Sequence, residues 1–160
     1  MEIVTFFATT GAPVVVVAIT VESPKRGEVM IKVGACGVCH SDLSATNGTI
    51  PLPPPVVLGH EAAGTICEIG DGVTNVAVGD TVVVSWVPIC GKCRYCVIGK
   101  PQLCDVSAKT TITLADGTSR FKDAKGQTLN HFAGVGVMTE YATLHSDSVI
   151  KIDPSIGMDK

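Results

Sequence analysis

A chain of 160 residues is long enough for one ordinary domain with its own hydrophobic core. Its hydrophobic fraction is 46%, its formal net charge is −3, and it has no basic run, which disfavours an extended surface for nucleic acid or anionic membrane. The N-terminus lacks a positively charged stretch followed by a long apolar one, and the apolar run 14–21 is too short to span a bilayer. We therefore expect a cytoplasmic protein with reduced thiols.

The first half of the chain predicts strands separated by turns. β-branched residues predict a strand over 14–21, turn-forming residues follow at 23–28, and a second strand is expected over 29–35, as a hairpin partner or after an exchange between sheets. Residues 40–48 favour a short helix. Four prolines make 51–60 rigid and extended.

The second half continues this pattern. Residues 61–87 predict strand, turn, loop and strand, and a cysteine-rich lobe occupies about 88–106. An Asp-Gly pair predicts a β-hairpin over 111–121, and one or two closing strands are expected over 135–153. No alternating β-α-β pattern and no dinucleotide-binding glycine fingerprint is present. The sequence predicts a mainly β fold, a barrel-like closed sheet with a metal-stapled loop.

Four cysteines in the lobe have the spacing C-x2-C-x2-C-x7-C: Cys90, Cys93, Cys96 and Cys104. Four thiolates can surround one Zn²⁺ tetrahedrally, and with every position occupied such a site is structural. Nearby Lys92, Arg94 and Lys100 would offset its negative charge. The alternatives are buried free cysteines, an iron–sulfur cluster, and a nucleic-acid-binding zinc ribbon, which the missing basic surface disfavours.

A second constellation joins the segment GACGVCHSD (34–42) to GHEAAG (59–64). Cys39 and His60 supply a thiolate and an imidazole suited to a second zinc, which needs a third ligand and an open position for water or substrate. Asp42 and Glu61 are nearby carboxylates that could orient the ligands.

The remaining cysteines and histidines receive simpler interpretations. Cys36 and Cys39 form a C-x-x-C pair, but thioredoxin-like redox chemistry would require a βαβ context that is missing. Cys36 and Cys67 are interpreted as small core residues. The isolated His131 and His145 are interpreted as surface or packing residues.

Four segments together, GACGVCHSD, PPVVLGHEAAGTI, VGDTVVV and CGKCRYCVIGKPQLC, resemble the medium-chain, zinc-dependent alcohol dehydrogenases. The resemblance runs over nearly the whole chain, residues 1–160, and covers the amino-terminal catalytic domain of that family. It implies a GroES-like β-barrel with short helices and a zinc-stapled cysteine-rich loop. It also implies oxidation of an alcohol to an aldehyde or ketone, with hydride transfer to NAD or NADP.

The resemblance also implies roles for individual residues. Cys39 and His60 match two ligands of a catalytic zinc, Glu61 the acidic residue behind that metal, and Asp42 the carboxylate that orients the ligands. Ser41 matches the hydroxyl that begins the proton relay from the alcohol, with zinc acting as Lewis acid. His40 matches a position near the cofactor pyrophosphate, and Trp86 a wall of the substrate pocket. The four cysteines of the lobe, Cys90, Cys93, Cys96 and Cys104, match the structural zinc site.

Two departures from the family pattern bear on function. Ser44 stands where many members have a relay histidine. The family's third zinc ligand, a cysteine, and its Rossmann domain lie beyond the region that this chain matches. We therefore expect a catalytic-domain portion that is inactive alone, with a small alcohol or aldehyde, the Rossmann part or further copies of the chain as its partners. The other readings are a stand-alone zinc-binding β-barrel without chemistry and a chaperonin-like interaction module.

Overall fold

A computed structural model of the protein describes residues 2–7 and 9–159, without the side chains of residues 2–7. The strands are β1 (Glu2–Phe7), β2 (Val15–Val21), β3 (Glu28–Cys36), β4 (Val56–Val57), β5 (Ala62–Ile69), β6 (Thr81–Val84), β7 (Phe121–Lys122), β8 (Thr128–His131), β9 (Tyr141–His145) and β10 (Val149–Lys151). The α-helices are α1 (His40–Thr46) and α2 (Arg94–Val97), and 3₁₀ turns cover Pro101–Leu103, Ser107–Lys109, Phe132–Gly134 and Ser146–Ser148. All helices in the described part are too short to cross a membrane.

The ten strands of the described residues form two curved units. One is a closed barrel in the order β1-β2-β7-β8-β4, and the other is a five-stranded sheet in the order β10-β6-β5-β3-β9. One core cluster joins them, because Ile19 of β2 and Phe121 of β7 are buried together with Val29 and Ile31 of β3. The mainly β fold with a closed sheet is confirmed.

The first predicted strand pair is not a hairpin. β2 pairs with β1 and β7, whereas β3 pairs with β5 and β9, so the chain passes from the barrel to the other sheet between residues 21 and 28. The expectation of a strand exchange is the one that the structure confirms.

The predicted hairpin over 111–121 is wrong. Its Asp-Gly turn exists, with Gly117 N–H donating to the Leu114 carbonyl at 2.9 Å, but the flanking residues form bends and turns rather than strands. The hairpin lies further along the chain, where β7 pairs antiparallel with β8. Residues 111–120 instead carry Arg120 into the interior, where its guanidinium binds Glu28.

His131 is a packing residue at the end of β8. Its ring is fully buried against Phe121, with ring centroids 4.3 Å apart. The Arg120 N–H donates to Nε2 at 3.3 Å, while Nδ1 lies 3.2 Å from the Val135 carbonyl. These partners suit a neutral ring with its proton on Nδ1, since a second proton on Nε2 would face the Arg120 N–H. Burial accordingly lowers the pKa of His131 to about 4.

We expect this histidine to make stability depend on pH. Because the folded pKa lies below the unfolded one, the unfolded chain takes up the proton first. The free energy of unfolding should therefore fall between about pH 6.5 and 4, by up to about 1.4 kcal/mol per pH unit. Urea unfolding at a series of pH values would measure this slope. His131→Gln should flatten this slope, and an unchanged slope in that variant would refute the assignment.

Candidate metal and substrate site

The register between β3 and β5 builds the candidate site. The two strands are antiparallel, with Cys36 opposite Ala62 at the end of the ladder, and Gly37 N–H extends the pairing by donating to the Glu61 carbonyl at 2.8 Å. Residues just after β3 and just before β5 therefore emerge at the same edge of the sheet. This places Cys39 beside His60, although about twenty residues separate them in sequence.

Asp42 fixes the two ligand segments relative to each other. Its Oδ2 accepts from the Cys39 N–H at 3.0 Å, and its Oδ1 accepts from the Gly59 N–H at 3.0 Å. The same Oδ1 lies 3.6 Å from Nδ1 of His60. The carboxylate is buried, so it acts as an internal tie between the start of α1 and the segment before β5.

Position 59 can be occupied only by glycine. Its φ is +88°, and a Cβ there would lie 2.5 Å from the Met138 backbone nitrogen. Its carbonyl accepts from the Val137 N–H at 3.1 Å, so the glycine lets residues 58–60 pack directly on residues 137–138. This close packing holds His60 in place.

The ligand atoms of Cys39, His60 and Glu61 lie within 4.8 Å of one another. His60 is buried, and its ring packs edge-on against Phe132 with centroids 5.1 Å apart. Its Nδ1 has no hydrogen-bond partner in the described structure, and its Nε2 lies 3.7 Å from Glu61 Oε1. A thiolate, an imidazole and a carboxylate around one point form a donor set that fits Zn²⁺.

The Glu61 carboxylate lies closer to the candidate ligands than the family resemblance implies. The resemblance places it behind the metal, yet it is near enough to share an ion with Cys39 and His60. In a regular strand adjacent residues point to opposite faces, but β5 begins only at Ala62. Since residues 60 and 61 precede the strand, both side chains can face the same point. The sequence could have predicted that both side chains face the same point only if it had shown that β5 begins at Ala62.

The other predicted site residues lie around the same edge. Ser41 Oγ is 3.5 Å from Cys39 Sγ, and both line a cavity of about 400 Å³ together with Trp86. His40 is exposed at the first position of α1, with Nδ1 3.3 Å from Ser44 Oγ. Cys36 borders a different cavity, and burial raises the pKa of its thiol to about 11. Cys67 is exposed on β5, so its interpretation as a core residue was wrong.

The second candidate centre is the lobe over 88–106. The sulfurs of Cys90, Cys93, Cys96 and Cys104 all lie within 4.8 Å of one another. Zn–S bonds of about 2.3 Å in a tetrahedron require sulfurs about 3.8 Å apart, and Cys93 Sγ lies 4.0 Å from Cys104 Sγ. No disulfide occurs in the described structure. The donor set and its spacing fit one zinc ion.

Backbone N–H groups in the lobe point at sulfur. Those of Asp105 and Cys96 lower the pKa of Cys93 to about 6. At Cys104 burial favours the thiol, but N–H groups led by that of Cys90 outweigh it and lower the pKa. At Cys96 burial raises the pKa to about 12, and the hydrogen bond with the Cys93 sulfur raises it as well. The lobe therefore favours the thiolate, the form in which cysteine binds metal, at Cys93 and Cys104.

Comparisons with known proteins agree with this arrangement. The sequence profile described as the alcohol dehydrogenase GroES-like domain matches residues 25–154. The chain belongs to this family. An S-(hydroxymethyl)glutathione dehydrogenase of Candida maltosa is 42% identical over 151 residues, which are 92% of this chain and 39% of that protein.

Solved structures of the family share the fold of this alcohol dehydrogenase domain. An alcohol dehydrogenase zinc-binding domain protein from Burkholderia ambifaria superposes with a TM-score of 0.91 at 30% identity, over 99% of this chain and 43% of that one. Benzyl alcohol dehydrogenase from Acinetobacter calcoaceticus superposes with a TM-score of 0.81 at 31% identity, over 99% and 42%. The chain thus spans about two fifths of the length of these relatives.

Proposed function

We propose that this chain is the zinc- and alcohol-binding portion of an alcohol dehydrogenase, which oxidises an alcohol to an aldehyde or ketone while NAD or NADP accepts a hydride. The observation that carries the proposal is the meeting of Cys39, His60 and Glu61 on the wall of one cavity with Ser41. The relatives support the reaction class, and their names specify either a benzyl alcohol or a hydroxymethyl adduct of glutathione.

Each side chain at the candidate site has its own role in this proposal. Cys39, His60 and Glu61 would hold a zinc ion, which supplies Lewis-acid chemistry that makes an alcohol more acidic. Ser41 lies beside Cys39 and can accept the hydroxyl proton of an alcohol in the cavity. Asp42 holds the segments of Cys39 and His60 together, and Phe132 and Trp86 line the cavity.

A hydroxyl and an imidazole lie close together on the helix that carries Ser41. Ser44 Oγ and His40 Nδ1 are 3.3 Å apart on α1, and His40 is exposed. Ser44 is buried, and within the described residues no contact joins this pair to Ser41, so we propose that Ser41 passes its own proton to water as it accepts that of the alcohol. We propose that His40 contacts the phosphates of the cofactor, as the family resemblance implies.

The proposal extends to partners and location. We propose that the lobe cysteines hold a structural zinc, that nicotinamide binding requires a Rossmann domain that pairs with this one, and that the chain alone is inactive. A cytoplasmic location follows from the need for reduced thiols at both metal centres. Self-association into homo-oligomers is part of the same proposal.

A Cys39→Ser variant tests the catalytic centre. The chain should hold about two zinc ions when purified reduced, and Cys39→Ser should hold about one with its fold unchanged. Elemental analysis gives the metal content and circular dichroism the fold. Cys67→Ser is the matched control, since Cys67 is exposed and outside both clusters.

Cobalt substitution tests the chemistry more directly. Cobalt bound at the Cys39 site should show a visible spectrum that changes when an alcohol is added, and Cys39→Ser should lose that change. A metal content of one in the unmodified chain, or a spectrum indifferent to alcohol, would count against the proposed function. Alcohol-dependent reduction of NAD by the chain above the Cys39→Ser background would instead refute only the proposed inactivity of the chain alone.

A further inference from the structure

A glycine lies directly against the side chain of Glu61. A Cβ built at Gly37 would lie 2.6 Å from Glu61 Oε2, 3.2 Å from Glu61 Cβ and 3.7 Å from Glu61 Cδ. These are the three nearest heavy atoms apart from the chain neighbours of the glycine, and all belong to one side chain. The Glu61 side chain therefore occupies the space that any other residue would fill at position 37. Glycine is the residue that permits such a close approach to the backbone.

The backbone holds residues 37 and 61 opposite each other. The Gly37 N–H donates to the Glu61 carbonyl at 2.8 Å, one step beyond the last pair of the ladder between β3 and β5, Cys36 with Ala62. Side chains at opposite positions of antiparallel strands are close neighbours. Because the hydrogen bond fixes the two backbones, a side chain added at position 37 could be accommodated only by a movement of the Glu61 side chain.

The Glu61 side chain has room to make this movement. It is 54% exposed, and it borders both the cavity of the candidate site and a second cavity of about 460 Å³. The atom closest to the added Cβ is the end of this flexible side chain. The contrast is Gly59, where an added Cβ would meet the backbone of Met138. A methyl group at position 37 should therefore displace the carboxylate and leave the fold unchanged.

The carboxylate that would move is one of the three candidate metal ligands. In its present position it brings the ligand atoms of Cys39, His60 and Glu61 within 4.8 Å of one another. Its displacement would leave one thiolate and one imidazole of this set, fewer than the three protein ligands of an ordinary catalytic zinc site. The position of the carboxylate therefore bears directly on the affinity for metal.

We propose that Gly37 is a positioning residue of the metal centre, because its missing side chain lets the Glu61 carboxylate lie close enough to Cys39 and His60 to share a metal ion with them. The inference rests on the proposed function and deepens it, since it assigns a role to a residue that has no ligand atom. It requires that one methyl group at position 37, where the chain is exposed, weakens metal binding without altering the fold.

Cobalt titration of the reduced 160-residue chain tests the inference. The candidate site is followed through the part of the visible cobalt spectrum that Cys39→Ser lacks. Glu61→Gln keeps the size of the side chain and removes its charge, so it should weaken the cobalt affinity of the site about 10- to 100-fold, as replacements that disturb a metal centre typically do. Gly37→Ala should weaken the affinity to a similar extent, with circular dichroism and Tm unchanged.

A double variant separates an effect through Glu61 from any other effect. Losses at independent residues multiply. If Gly37 acts only through the carboxylate, Gly37→Ala should change the affinity by less than about twofold in the Glu61→Gln background. Gly34→Ala is the matched control, since it adds a methyl group three residues earlier on β3, against the flexible side chain of Met158. Met158 does not border the cavity of the candidate site, so Gly34→Ala should bind cobalt like the unmodified chain.

The inference and the proposed function fail in different ways. Unmodified cobalt affinity in Gly37→Ala, or a double variant whose loss is the product of the single losses, would overturn the inference and retain the proposed function. A changed fold in Gly37→Ala would also overturn it, because the backbone rather than the carboxylate would then have moved. Identical cobalt spectra for the unmodified chain and Cys39→Ser would instead refute the proposed function, and the inference with it.

Discussion

A Cys93→Ser variant is expected to lose the metal of the lobe and to unfold residues 88–106 while the barrel remains folded. Between residues 89 and 109, all within the described part, Cys104 is the one buried residue, so the lobe has no hydrophobic core of its own. Structural zinc in small sites contributes an apparent binding free energy of about 10–16 kcal/mol. Removing one of four thiolates takes away a large part of what holds this segment together.

The effect should stay local because the lobe is weakly attached. The Ile89 N–H donates to the Asp147 carbonyl at 3.3 Å near its beginning, and α2 packs mainly on the adjacent 3₁₀ turn Pro101–Leu103. The core cluster draws on none of the residues between 88 and 106. The barrel can therefore remain folded when the lobe unfolds.

Limited proteolysis and elemental analysis measure the two parts of this prediction. Cys93→Ser should be cleaved within 88–106 at protease concentrations that leave the unmodified chain intact, and its metal content should fall by about one ion. Cys67→Ser should behave like the unmodified chain. A Cys93→Ser protein with full metal content and full resistance to protease would show that the lobe is not built around zinc.

Local signals accounted for much of the candidate site. The cysteine spacing in the lobe requires only a tight loop, and the structure brings those four sulfurs together. Cys39 and His60 also meet as predicted, because each follows or precedes a strand that the apolar pattern identified. The roles of these residues, and of Ser41, Asp42, His40 and Trp86, stay predictions that the experiments above address.

The parts that the sequence could not predict depend on distant partners. Strand pairing depends on packing between segments that are far apart in the chain. The strands predicted over 14–21 and 29–35 are neighbours in sequence, but they lie in different sheets. Local turn chemistry identified the turn at Gly117 correctly and misplaced the strands around it. Arginine is among the residues least often buried, so nothing local indicated that Arg120 would enter the interior.

The buried pair of Arg120 and Glu28 explains that path and leads to the second large prediction. Arg120 is fully buried, and its Nε and Nη2 donate to the two carboxylate oxygens of Glu28 at 2.8 and 2.5 Å. Its Nη2 also lies 2.7 Å from Asp116, a half-exposed carboxylate. The bidentate pair joins β3 to the segment before β7 across 92 residues of sequence. It thereby holds the end of segment 111–120, whose residues Thr111 and Ile112 line a cavity of about 640 Å³.

Glu28→Gln should destabilise the fold by about 3 kcal/mol, because it leaves a buried guanidinium with only one half-exposed carboxylate for charge compensation. For a chain of this length that corresponds to a fall in Tm of roughly 6–12 °C. Urea and thermal unfolding at neutral pH measure this loss of stability.

Glu22→Gln is the matched control, since Glu22 pairs with Lys122 at a partly exposed position where an ion pair contributes at most about 1 kcal/mol. The double variant Glu28→Leu/Arg120→Met should recover much of the loss, because it removes both buried charges together. Equal costs for Glu28→Gln and Glu22→Gln would show that the buried pair does not stabilise the fold, and the position of residues 111–120 would then need another cause.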